Sequence, residues 1–137
     1  MKPSVVSPAA QQYEGIFRGW VADSLAAAIP PAVRAFAFNI LEYAETPSVE
    51  FAIEFVGTGS FDEDDADWAC DEVWEPYSRR LEIPPSFSGL TWQECLDRME
   101  SLLAACLESP SLGPKLRQGV AVGIGFVDGD LTVAWQR

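Results

Sequence analysis

Four short stretches alternate apolar with small or polar residues at a period of two, and nothing else constrains the fold as strongly, since each must sit in a sheet with one face buried. Phe36, Phe38 and Ile40 alternate with Ala35, Ala37 and Asn39, and Val49, Phe51, Ile53 and Phe55 alternate with Glu50, Ala52 and Glu54. Val120, Val122, Ile124 and Phe126 form a third run, and Leu131, Val133 and Trp135 a fourth. Turn residues Thr46-Pro47-Ser48 separate the first two runs and Asp128-Gly129 the last two, so the runs are expected to pair as two hairpins.

The helical period appears twice. From about Pro8 to Ala28, Tyr13, Ile16, Phe17, Trp20, Val21 and Leu25 share one stripe, with Ser7 placed to cap, Pro8 at the first position and Pro30-Pro31 as a stop. Thr91-Trp92-Gln93-Glu94 matches a capping box. It opens a second helix whose inner side carries Trp92, Leu96, Met99, Leu102, Leu103 and Cys106 and which ends near Glu108. Trp20 and Trp92, both on apolar stripes, are expected in the core. Leu81-Glu82-Ile83 reads as a short strand, while Asp71 to Tyr77 fits either a short helical or an extended piece.

A lone hairpin cannot bury a face, so the economical packing is α+β: a four-stranded antiparallel sheet from two hairpins with two main helices on one face. Residues 1–137 are expected to form a single domain in the order helix, hairpin, acidic loop, helix, hairpin. The sheet face away from the helices is unusual. It would display Ala35, Ala37, Asn39, Glu50, Ala52, Glu54, Ala121, Gly123, Gly125, Thr132, Ala134 and Gln136. Such small residues imply a face open to solvent or one against which another body lies.

Charge narrows the function. Nine Lys and Arg stand against 21 Asp and Glu, giving a net charge of -12, and there is no histidine. Ser-His and Cys-His nucleophile pairs, imidazole bases and His-bearing zinc sites are therefore excluded. An acidic surface repels phosphate, so neither nucleic acid nor an anionic membrane is expected as a partner. Between Arg34 and Arg79 there are twelve acids and no base, which leaves nine acids to balance the nine bases. The net charge thus belongs to one block, densest in residues 62–75, where eight acids are interleaved with Phe61, Trp68 and Trp74 nearby.

That stretch, FDEDDADWACDEVWEP, allows three readings. One is a solvated loop. A second is a calcium loop, but counting from Asp62 puts Ala66 at the fifth position, Asp67 where the turn glycine belongs and Val73 where the closing glutamate belongs, so the EF-hand pattern fails. The third is a docking surface for a basic macromolecule. Close-set carboxylates accept bidentate hydrogen bonds from arginine and speed encounter with a basic partner, and tryptophans supply broad interface anchors. The expected contact residues are Asp62, Asp64, Asp65, Asp67, Trp68, Asp71, Glu72, Trp74 and Glu75, joined by Glu50 and Glu54 from the adjoining sheet.

Cys70, Cys95 and Cys106 form no CxxC pair and are odd in number, which fits buried free thiols in a reducing cytoplasm rather than a disulfide framework. The N-terminal stretch lacks the continuous apolar core of a signal peptide, and no segment approaches the roughly 20 apolar residues of a membrane span. A cytoplasmic location is expected.

Asp67-Trp68-Ala69-Cys70-Asp71-Glu72, then Ile83-Pro84, then Trp92 opening a helix, then Gly123-Ile124-Gly125-Phe126-Val127-Asp128-Gly129-Asp130-Leu131 resemble small acidic immunity proteins of bacterial polymorphic-toxin systems, over roughly residues 35–137. The resemblance implies a non-enzymatic cytoplasmic inhibitor, without cofactor or metal, that binds and neutralises a cognate protein toxin encoded beside it. Two other classes stand next to it: a small carboxylate-dependent metal-binding domain or enzyme, and a structural subunit of an assembly that uses the small-residue sheet face.

Overall fold

The computed structural model describes residues 8–43 and 51–137. The helical stripe forms α1 (Pro8–Ala26), with Tyr13, Phe17, Trp20, Val21 and Leu25 buried. Ile16, assigned to the same stripe, is 48% exposed and lies at its edge. Two strands follow, β1 (Ala35–Glu42) and β2 (Phe51–Thr58), paired antiparallel with Phe38 opposite Phe55 and Ile40 opposite Ile53. The Ser7 cap, the Thr46-Pro47-Ser48 turn, Val49 and Glu50 fall outside the described residues.

After β2 the chain makes a 3-10 helix (Ala66–Cys70), then β3 (Glu72–Trp74) and β4 (Arg80–Ile83). The stretch from Asp71 to Tyr77 is thus extended at its centre. A four-residue α2 (Pro85–Ser88) precedes α3 (Trp92–Glu108), and a four-residue α4 (Gly113–Leu116) leads to the terminal hairpin of β5 (Ala121–Phe126) and β6 (Leu131–Gln136). The capping box is complete. Thr91 Oγ1 accepts from the Glu94 amide at 3.1 Å, and Glu94 Oε1 accepts from the Thr91 amide at 3.2 Å. Gly89 just before it has φ 76°, a left-handed conformation open to glycine.

The two hairpins share one sheet, but that sheet is not four-stranded and antiparallel. Its order is β3-β2-β1-β5-β6, with β4 also paired to β2, and the joint between hairpins, β1 to β5, is parallel. The physical reason lies in the connection. The chain returns along the helix side through α3 and α4, and the Val120 amide donates to the Arg34 carbonyl at 2.7 Å, so β5 starts beside the start of β1 and runs the same way. The two short strands lie along β2, β3 opposite Gly57 and Thr58 and β4 opposite residues 51–54.

The helices cover one face as expected. Phe36, Phe38, Ile40, Phe51, Ile53, Phe55, Val122 and Ile124 meet the inner sides of α1 and α3 in the main core. Phe38 and Phe55 stack with centroids 4.5 Å apart and planes 7° from parallel, and Trp20 meets both rings edge-on. Trp92 departs from expectation. It is 50% exposed at the first position of α3 and rests edge-on against Phe126.

A register shift between Val122 and Gly123 corrects the reading of β6. Trp135 packs with the main core, but Leu131 turns to the opposite face, because one extra residue in a strand reverses the alternation beyond it.

Candidate partner-binding surface

The face away from the helices is not simply open: the chain's own acidic loop lies on the part of it formed by Ala35, Ala37, Val56, Ala121 and Gly123. Ala35, Ala37, Val56 and Ala121 form a second buried cluster with Trp68 and Ala69, flanked by Phe61, Val120 and Leu131. Trp68 is 4% exposed, and Phe61 meets it edge-on at 5.0 Å. Gly123 provides the close approach. A Cβ there would sit 2.9 Å from Trp68 Cζ2, so a side chain at 123 and the indole compete for one space. The small residues on β1 and β5 therefore have a use, which is to admit a flat ring against the strands.

Local chemistry fixes the loop. Asp62 Oδ1 accepts from the Asp64 amide at 2.9 Å and Asp65 Oδ1 from the Asp67 amide at 3.0 Å, two side-chain turns that hold the backbone in a compact curve. Asp65 is also the N-cap of the 3-10 helix. The Gly59 amide donates to the Asp71 carbonyl at 2.9 Å and closes the base.

With Trp68 turned inward, the acids face out. Asp62, Glu63, Asp64, Asp65, Asp67 and Asp71 are exposed, and none forms an ion pair among the described residues. Of the nine residues named from the sequence, Asp62, Asp64, Asp65, Asp67 and Asp71 share this outer surface. Trp68 does not, being an internal anchor. Trp74 is half-buried at the sheet edge, 5.8 Å from Phe55 and 6.1 Å from Phe36, and so belongs largely to the main core.

Glu72 and Glu75 are exposed but have a cation of their own. Arg79 Nη1 reaches Glu72 Oε1 at 2.7 Å and Glu75 Oε1 at 2.8 Å, and its Nη2 reaches Glu54 Oε1 at 3.2 Å. Arg80 Nη2 holds the other Glu54 oxygen at 2.7 Å, while its Nη1 donates to the Tyr43 hydroxyl at 3.2 Å. Glu54 is the one acid of the group buried within a strand. Burial alone would raise its pKa, yet hydrogen bonds from Arg80 and Arg79 outweigh that and hold the carboxyl below its ordinary range. Arg79 is correspondingly driven well above its ordinary value, chiefly by its hydrogen bonds to Glu72.

Sequence reasoning missed this clamp. Its signal was present: Glu54 occupies a strand position that pairs with β4, and Arg79-Arg80 opens that strand. Glu72, Val73, Trp74, Glu75 and Arg79 line an open groove of about 330 Å3, and Tyr77 is fully exposed.

Cys95 and Cys106 are buried free thiols, and burial pushes the Cys95 thiol up to about 12. Cys70, expected to be buried too, is exposed, because the 3-10 helix turns Trp68 and Ala69 to the sheet and Cys70 away from it. Among the described residues no group of three or more His, Cys, Asp or Glu converges in a way that could hold a metal ion. Among the same residues no helix is long and apolar enough to cross a membrane. In comparisons with known proteins, no protein family, no curated protein and no solved structure matches the chain.

Proposed function

We propose that this chain is a binding protein, a toxin-neutralising immunity protein that occludes a basic groove of a cognate protein toxin in the cytoplasm. The observation that supports this reading is the sorting of the acidic loop. Its indole is spent on anchoring, and its unpaired carboxylates stand on a backbone already held in one shape. Pre-organised carboxylates bind a cationic surface at lower entropic cost than a mobile acidic tail, and their field accelerates encounter. The contact surface is then Asp62, Asp64, Asp65, Asp67 and Asp71, extended along the sheet edge by Glu72, Trp74, Glu75 and the exposed Tyr77. Trp68 acts from beneath by positioning them.

The experiment is co-expression with the toxin domain encoded in the neighbouring reading frame, read as growth and as association rate in vitro. Asp64 and Asp67 are the residues to reverse, because Asp62 and Asp65 also accept the turn hydrogen bonds. Asp64→Lys with Asp67→Lys is expected to slow association and flatten its salt dependence at an unchanged melting temperature. Protection and kinetics identical to wild type would remove the loop from the interface, and a neighbouring frame without a toxic product would remove the immunity reading altogether.

A further inference from the structure

We propose that residues 59–71 form a lid over the small-residue face of the sheet that comes off by local unfolding in a single cooperative step, latched by the Trp68 indole and loosened by repulsion among its own carboxylates. Ionic strength then sets how often that face is uncovered. The inference concerns the chain alone and stands whether or not the partner is a toxin.

Three independent observations converge on it. The loop is closed at its base by the Gly59 to Asp71 hydrogen bond, so its ends stay together whatever the interior does, the defining property of an Ω-loop. Its backbone bonds are local: the Asp65 amide to the Asp62 carbonyl, Trp68 to Asp65, and Asp71 to Trp68. Among the described residues, the polar tie to the rest of the sheet away from the base is the surface bond from Gln136 Nε2 to Glu63 Oε1 at 2.7 Å.

The second observation is the separation of the two apolar clusters by the sheet itself. Losing the smaller cluster leaves the larger intact, which is what a separately opening unit requires. Its one large, fully engaged side chain is Trp68, seated where Gly123 leaves room.

The third is the charge. Asp62, Glu63, Asp64, Asp65, Asp67 and Asp71 lie within ten residues and have no cation paired to them among the described residues. The folded loop holds these charges close together and an unfolded one spreads them, and their mutual repulsion acts over a distance that salt shortens from about 30 Å at 0.01 M to about 3 Å at 1 M. Asp71 is at the hinge, and Asp67 sits one residue before the latch.

The test is amide hydrogen exchange on the full chain, resolved by residue, at low and at high sodium chloride. The Asp65, Trp68 and Asp71 amides are expected to exchange at one common rate that is about tenfold faster in low salt, with β1, β2 and β5 unchanged. Converting Asp62, Asp64, Asp65 and Asp67 to Asn keeps the turn acceptors and should abolish that salt response. Gly123→Ala, which crowds the latch, should speed lid exchange in both salts and leave the central strands protected. Should that variant fail to fold, Trp68→Phe shortens the latch without touching the sheet and gives the same reading. Lid amides that track the central strands, a wild-type lid indifferent to salt, or an unchanged salt response in the Asn variant would each overturn the proposal.

Discussion

The two faces of the sheet are both covered, and by opposite means. On one, Phe36, Phe38, Phe51, Phe55, Ile40, Ile53 and Ile124 hold two helices off the strands with large side chains that are at most 2% exposed. On the other, Ala35, Ala37, Ala121 and Gly123 let a single indole lie against the backbone. Large residues on a strand make a core that several elements must share, and small ones make a seat that one side chain can occupy or leave. Stability is therefore expected to reside on the helix side, and adjustable charge on the loop side.

The most severe way to break this contrast is Phe55→Ala. It removes a ring that stacks on Phe38 and meets Trp20, Phe36 and Trp74, and it should cost about 3–5 kcal/mol in denaturant unfolding. A loss under about 1 kcal/mol would mean that the aromatic layer is not the seat of stability. Trp68→Ala should cost less, about 2 kcal/mol, since the loop can collapse into the space or detach while the main core persists. A loss equal to that of Phe55→Ala would make the two clusters a single cooperative unit.

Glu54 ties the sheet to the chain just beyond the acidic segment, because it lies in β2 and is held by Arg79 and Arg80. Glu54→Gln should cost about 1–2 kcal/mol, less than a fully buried pair, as the two arginine side chains are 31% and 47% exposed. The sign of its pH dependence follows from the lowered pKa. The contribution is complete above the ordinary value of 4.5 and is lost as pH falls through the lower folded-state value. The wild-type chain should therefore lose more stability on acidification below about pH 4.5 than Glu54→Gln does, and parallel acid limbs for the two proteins would dismiss the clamp.

Two smaller changes sharpen the picture on the helix side. Thr91→Ala removes the capping-box acceptor and should lower stability by about 1 kcal/mol with no effect on loop exchange. Tyr13 is 3% exposed and its hydroxyl is the one buried side-chain polar atom without a partner among the described residues. Tyr13→Phe should leave the melting temperature unchanged or slightly raised, because no hydrogen bond is lost. A marked fall would reveal a partner for that hydroxyl.

Much of this was legible along the chain. Period two placed β1, β2, β5 and β6, and period 3.6 with Thr91 and Glu94 placed both main helices, because local hydrophobic spacing and capping depend on nearby residues alone. The parallel joint between β1 and β5 was not legible, since alternation is the same for either direction of pairing. Nor was the fate of the acidic loop. Its composition showed carboxylates and tryptophans together, but a tryptophan beside charge serves equally well as an exposed anchor or as an internal one.

The amino-acid sequence by itself determined the four long strands and the two main helices, which face of β1, β2 and β5 carries the large side chains and that the net charge belongs to one segment. The tertiary structure alone decided that Trp68 points inward, that Glu54, Glu72 and Glu75 are neutralised by Arg79 and Arg80 while the acids between Asp62 and Asp71 stay unpaired, and that the bare face of the sheet is covered. The reason is reach. A hydrogen bond at a cap joins residues three apart, whereas seating Trp68 on Gly123 or Glu54 on Arg80 joins segments whose proximity exists only once the sheet has formed.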